Sequence, residues 1–158
     1  MSDTTKIAAL IQDIRFAMFT HTTAEGHLHA APMTTQNTPF DGTLWFIGDN
    51  TTELCKDIAA RPQVNLAYSQ PEKGVYVSIT GTAALVQDQA RLDELWSDFY
   101  NAYFEQGKAD PKVQLIKVTA HGAQYWESPG PVVQLAKMVT AALTGAKTQS
   151  DQRHTVNL

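Results

Sequence analysis

The longest strand-forming run in the chain, Val75 to Gln87, carries a glycine, Gly81, in its interior. A glycine there gives up side-chain packing and marks a bulge or bend, which is one way a small sheet curls toward closure. Before it, Pro71-Glu72-Lys73-Gly74 turns the chain back on Gln63 to Ser69, where Val64, Leu66 and Tyr68 alternate onto one face. These two runs predict paired strands of a curled sheet.

The remaining elements are arranged around that pair. Phe16 to Thr22 and His27 to Thr35 flank Ala24-Glu25-Gly26 and predict a hairpin. Pro32 cannot donate to a ladder, so its position lies at an edge, a bulge or a strand end. Pro39-Phe40-Asp41-Gly42 predicts a turn before a strand over Thr43 to Gly48. Asn50 and Glu53 can form a capping box for a helix reaching about Ala60, where Arg61-Pro62 ends it. Ile7, Leu10, Ile11 and Ile14 follow Thr4 and Thr5, either of which can cap, and predict a first helix over residues 5 to 14. After Asp88, Leu92, Leu95, Trp96 and Phe99 recur at helical spacing, with Tyr103 and Phe104 continuing the aromatic character until Gly107 to Pro111 breaks it. Val113 to Thr119 and Gln124 to Glu127 are the last strand candidates. The turn Ser128-Pro129-Gly130-Pro131 then leads into an amphipathic helix with the stripe Val132, Leu135, Ala136, Val139 and Leu143. The fold class is α+β, a split antiparallel β-barrel with flanking helices. Residues 1–146 form one domain and 147–158 a polar C-terminal tail.

Composition removes several function classes. With 158 residues, 43% of them hydrophobic, the chain suits one domain with a substantial core. Twelve basic against sixteen acidic residues give a net charge of −4 with no basic run, which argues against nucleic acid. The apolar stretch Val132 to Leu143 is interrupted by Gln134, Lys137 and Thr140 and is too short for a membrane span. A single cysteine, Cys55, and an N-terminus without the regions of a secretory signal predict a cytoplasmic protein. No GxSxG, GxxxxGK[ST] or GxGxxG string occurs, so serine hydrolases, P-loop enzymes and dinucleotide-binding domains lose their sequence basis.

Among reactive side chains, His21, His27 and His29 lie close together, with His27 and His29 on one side of any strand that holds both. No third ligand stands at a diagnostic spacing, so the expectation is solvated or hydrogen-bonded histidines and no metal. Cys55 lies inside a helix beside Leu54 and Ile58 and reads as a small packed side chain. Trp45, Trp96, Tyr125 and Trp126 read as core before they read as ring-stacking residues.

Several strings in order resemble the general stress protein branch of the pyridoxamine 5'-phosphate oxidase-like superfamily, over roughly residues 5 to 145. They are Gly26 to Met33, Leu44-Trp45-Phe46-Ile47, Pro62 to Leu66, Tyr76 to Ala83, Glu94-Leu95-Trp96, Gly107 to Pro111 and Tyr125-Trp126-Glu127. The resemblance implies an FMN-binding split barrel, usually a homodimer, in which FMN supplies the chemistry of a flavin-dependent oxidoreductase acting on a small-molecule ligand. It places Pro32, Met33 and Thr34 along the flavin, with Phe46, Ile47, Gly48 and Asp49 bordering the ring and ribityl chain. Thr52 would approach the phosphate, and Trp126 would come from the partner subunit.

Two positions depart from that family. Ala31 stands where an arginine usually precedes the Pro-Met pair, and Leu54 where a lysine usually follows the helix start. Each missing charge-assisted hydrogen bond is worth about 1.5 to 3 kcal/mol. Together they weaken FMN by roughly 10² to 10⁴ at about 1.4 kcal/mol per decade. The alternative is therefore a non-enzymatic binding or structural dimer that has lost tight FMN binding.

Overall fold

The computed structural model describes residues 2–128, 131–145 and 153–158. Its strands form one antiparallel sheet in the order β2-β1-β4-β5-β6-β3, with β7 also paired to β6. These strands are β1 (Phe16–Thr22), β2 (Leu28–Thr34), β3 (Thr43–Asp49), β4 (Gln63–Gln70), β5 (Val75–Val86), β6 (Val113–Glu127) and β7 (Arg153–Asn157). The helices are α1 (Asp3–Ile11), α2 (Glu53–Ala60), α3 (Gln89–Leu95) and α4 (Pro131–Thr144). The sheet curls until its two outer strands approach, and the Gln36 amide just past β2 donates to the Trp45 carbonyl of β3 at 3.3 Å. A split barrel of the α+β class results, with Pro32 on an edge strand.

The curl originates at Gly81. The β5–β6 register shifts between Thr80 and Gly81, because Thr80 pairs with Gly122 and Gly81 with Ala120, leaving His121 as the extra residue. A Cβ at Gly81 would stand 2.6 Å from the Thr119 carbonyl oxygen, so only glycine allows the two backbones to approach this closely.

The main core fills the inside of the curl. Ile7 of α1, Phe19 of β1, Phe46 of β3, Ile58 of α2, Leu66 of β4 and Ile116 of β6 are fully or almost fully buried. Phe19 and Phe46 meet edge to face, with centroids 5.3 Å apart. A smaller cluster of Ile47, Leu92, Tyr100, Phe104 and Leu115 lies on the opposite face of β3 and β6.

Several sequence expectations shift. The first helix starts earlier, because Ser2 rather than Thr4 or Thr5 caps it by accepting the Thr5 amide. Thr52 rather than Asn50 caps α2, while Asn50 donates to the Pro111 carbonyl at 2.8 Å. The aromatic helix after Asp88 stops at Leu95. Ser97 and Asp98 favour caps over helix interiors, so a 3₁₀ turn, Asp98–Ala102, carries Phe99 and Tyr100. The two final strand candidates are one continuous strand, β6, in which Ala120 to Ala123 are held by pairing with β5 rather than by their own propensity. The polar segment after Lys147 contains β7, whose Val156 packs against the core. Pro129 and Gly130 of the expected turn and residues 147–152 lie outside the described residues.

Tyr68 gives this core a pH signature. It is fully buried, with its hydroxyl 2.8 Å from Thr35 Oγ1, and burial pushes its pKa up to about 12 against the smaller opposing effect of that hydrogen bond. The unfolded chain ionises this phenol near its ordinary value of about 10, so the contribution is intact below that pH and is lost as pH rises toward about 12. Wild-type protein is expected to lose about 2 to 3 kcal/mol more than Tyr68→Phe across that window, read by urea denaturation at stepped pH. Parallel curves for the two proteins would contradict the assignment.

Candidate functional site

The residues marked along β2, β3 and the start of α2 divide between the two faces of the sheet. On β2, Ala31 and Met33 face inward and pack against the main core, whereas Pro32 is exposed. On β3, Phe46 is buried in the main core and Ile47 in the smaller cluster on the other face, so these neighbours cannot border one ring from one side. Gly48 returns to the inner side. A Cβ built on it would lie 3.6 Å from Met33 Cε and 3.8 Å from Cys55 Sγ. Met33, Gly48 and the first turn of α2 are thus brought together at the split between β2 and β3.

Local chemistry shapes that turn. Asp49 accepts from the Thr51 amide at 2.8 Å and the Thr51 hydroxyl at 2.6 Å, and Thr52 Oγ1 donates to the Asp49 carbonyl at 2.8 Å. The Thr51 hydroxyl first, then its amide, hold the Asp49 carboxyl below its usual range, with Lys112 adding a smaller effect. Asp49 therefore brings a carboxylate of the protein's own to this turn. The Glu53 and Leu54 amides have no partner among the described residues, as the first amides of a helix commonly do not.

Leu54 is a core residue: it is buried in the main cluster with Cys55 and Ile58. Burial also raises the Cys55 thiol, against a smaller effect of its contact with Thr52, in keeping with a packed side chain. His29 lies 3.5 Å from Glu53, and Ala31 is half-buried two residues further along β2.

The histidines are solvated or hydrogen-bonded, as the sequence predicts, with His27 and His29 exposed and His21 held by Asp57. His27 precedes β2, and His29 pairs across the hairpin with His21, their rings edge to face at 6.1 Å. His21 is buried and its Nδ1 lies 2.8 Å from Asp57 Oδ2. Arg61 donates to Asp57 Oδ1 at 2.8 Å and to the Thr22 carbonyl at 2.8 Å. This network, not visible in the sequence, ties α2 to β1. Among the described residues no three His, Cys, Asp or Glu side chains come together as a metal site.

Trp126 is remote from these residues within one chain. Gln114 pairs with Gly48, and Trp126 lies twelve residues further along the same bent strand, a path of about 40 Å at roughly 3.3 Å per residue. It shares the outer face of the sheet with Tyr76, its partner on β5, while that face also carries exposed Phe16, Met18 and Pro32. All along α4 the stripe Val132, Leu135, Ala136, Val139 and Leu143 is exposed. No helix among the described residues is long and apolar enough to cross a membrane.

The sequence profile described as pyridoxamine 5'-phosphate oxidase like matches residues 2–149. A protein from Jannaschia sp. CCS1, described as a candidate general stress protein 26, is 30% identical, with a TM-score of 0.79 and full coverage of both chains. The general stress FMN/FAD binding protein of Xanthomonas citri is 28% identical, with a TM-score of 0.68 over 78% of this chain and 87% of its own. General stress protein 26 of Bacillus anthracis, at 22% identity and a TM-score of 0.69 over 79% of this chain and 94% of its own, shows the shared fold. No curated protein matches the sequence.

Proposed function

The chain belongs to the pyridoxamine 5'-phosphate oxidase-like family, in its general stress protein branch, and on that premise we propose that it binds FMN as a homodimer. The flavin would lie along the split between β2 and β3, bordered by Pro32, Met33, Thr34, Phe46, Ile47, Gly48 and Asp49. What carries the reading is the meeting of Met33, Gly48 and the α2 start, together with a relative described as FMN/FAD binding. Phe46 and Ile47 contribute through their backbone, since both side chains are buried. The Glu53 and Leu54 amides, free among the described residues, are the donors suited to a phosphate, aided by the positive end of α2, and the Thr52 hydroxyl would join them only by giving up its bond to the Asp49 carbonyl. A bound flavin would supply redox chemistry toward a small substrate, and the protein's part is to hold and orient it.

The second subunit serves two needs. It covers the outer sheet face and the stripe on α4, and it supplies Trp126, which one chain cannot bring to its own split. The cytoplasm is the proposed location, in keeping with a single buried thiol. The Asp49 carboxylate specifically favours a second reading, a binding protein that holds flavin without tight grip on its phosphate.

Restoring one missing cation separates these features. Ala31→Arg places a guanidinium near the α2 start, and FMN is expected to bind about ten- to a hundredfold more tightly while riboflavin changes little. Calorimetric titration of both ligands checks this. Equal changes for the two ligands, or none in a folded variant, would remove the phosphate from this position.

A further inference from the structure

A second recess lies on the other side of the β2 terminus, between the end of α1, the segment from Thr35 to Phe40, and the aromatic turn after α3. It is an open cleft of about 1080 Å³. Its aromatic wall consists of Trp96, Phe99 and Tyr100, with Phe99 45% exposed although it touches Tyr100 edge to face. An aromatic side chain left this open beside a recess offers a flat surface to another ring.

The polar floor has a definite handedness of donors and acceptors. Gln36 is 7% exposed, and its Nε2 donates both to the Thr34 carbonyl at 3.3 Å and to the Tyr100 hydroxyl. The Thr34 carbonyl can only accept, which fixes the amide nitrogen on that side. Gln36 Oε1 then accepts nothing among the described residues. Among the described residues no side-chain oxygen or nitrogen sealed from solvent lacks a partner, so this oxygen is not sealed, and Gln36 lines the cleft. The Tyr100 oxygen receives the Gln36 proton and keeps its own O–H for another acceptor. Burial raises the Tyr100 pKa, opposed by Gln36 and then Arg15, so the phenol stays protonated near neutral pH.

We propose that this cleft binds a small planar ring bearing a carboxamide, lactam or imide edge, whose N–H donates to Gln36 Oε1 and whose carbonyl accepts from Tyr100. The ring stacks on the wall of Trp96 and Phe99. Arg15 holds its guanidinium over the Phe99 ring at 6.0 Å, and the two carboxylates of the lining are already paired, Asp13 with Lys73 at 3.6 Å and Glu94 with Arg91 at 3.0 Å, so among the described residues the cleft has no free anion for a cationic ligand. The assignment does not depend on a bound flavin.

Benzamide and methyl benzoate are matched probes: both are flat and carry a carbonyl, and only the amide has an N–H. Each is titrated into the full-length protein while the Trp96 indole and Gln36 side-chain amide signals are followed by NMR, with Trp126, remote from the cleft, as the internal control. Benzamide is expected to shift the cleft signals and not the control, and to bind about three- to tenfold more tightly than the ester. Tyr100→Phe, which keeps the ring, should weaken both probes by a similar factor. Equal affinities for the two probes, or no shift at Trp96 and Gln36 up to the solubility limit, would overturn the proposal. So would shifts confined to Trp126. These outcomes are all read on the wild type, and a failure of flavin binding would leave them unchanged.

Discussion

Leu54→Lys is expected to destabilise the protein by about 3 kcal/mol or more, although it introduces the cation that the family resemblance leads one to expect there. Leu54 is 7% exposed and packs in the main core with Cys55 and Ile58. Removing a buried leucine costs about 2 to 5 kcal/mol, and an ammonium without a partner adds its own desolvation. Against a total stability of roughly 5 to 15 kcal/mol, this is a large fraction. Leu54→Met, similar in volume and apolar, should cost less than about 1.5 kcal/mol. Urea denaturation of the two variants measures the difference. A stable Leu54→Lys protein with strengthened FMN binding would instead mean that this side chain can turn toward the phosphate.

Asp57→Ala should cost about 3 kcal/mol, a second large loss at a position outside the proposed flavin site. Asp57 is buried and accepts from both His21 and Arg61, so its removal leaves a buried imidazole and a guanidinium without their acceptor. Arg61 is about a third exposed and can rehydrate, which places the expectation at the lower end of the range for buried pairs. Asp57→Asn keeps one acceptor oxygen and should lose less. Amide hydrogen exchange locates the effect: protection should fall in α2 and at the adjoining part of β1, because the network is what ties them. A uniform loss across the sheet, or a change under about 0.5 kcal/mol, would contradict a local tie.

The two predictions show where sequence reading reached and where it stopped. The strand Phe16 to Thr22 and the buried face Val64, Leu66 and Tyr68 were legible, because alternation records which side of a strand meets the core. Gly81 was legible as a bulge because only glycine allows the approach to Thr119. Ala120 to Ala123 were not recognisable as strand, since small residues with little propensity take their conformation from β5. For the candidate site, the strings around Met33 and Gly48 are ones that the fold brings side by side. The roles of single side chains depended on contacts far apart in sequence: His21 with Asp57, 36 residues on, and Gln36 with Tyr100, 64 residues on. Leu54 was ambiguous for a related reason. An apolar residue two places into a helix can face a core or a ligand, and only the packed sheet decides.

The absorbance spectrum and mass of the protein, taken together on one chromatographic peak after loading with FMN, test the central claim most directly. The expected result is the visible absorption of oxidised flavin travelling with a species of twice the chain mass, at about one flavin per chain. A folded protein that elutes at the monomer mass, or a dimer that retains no flavin at FMN concentrations far above those of the protein, would contradict it.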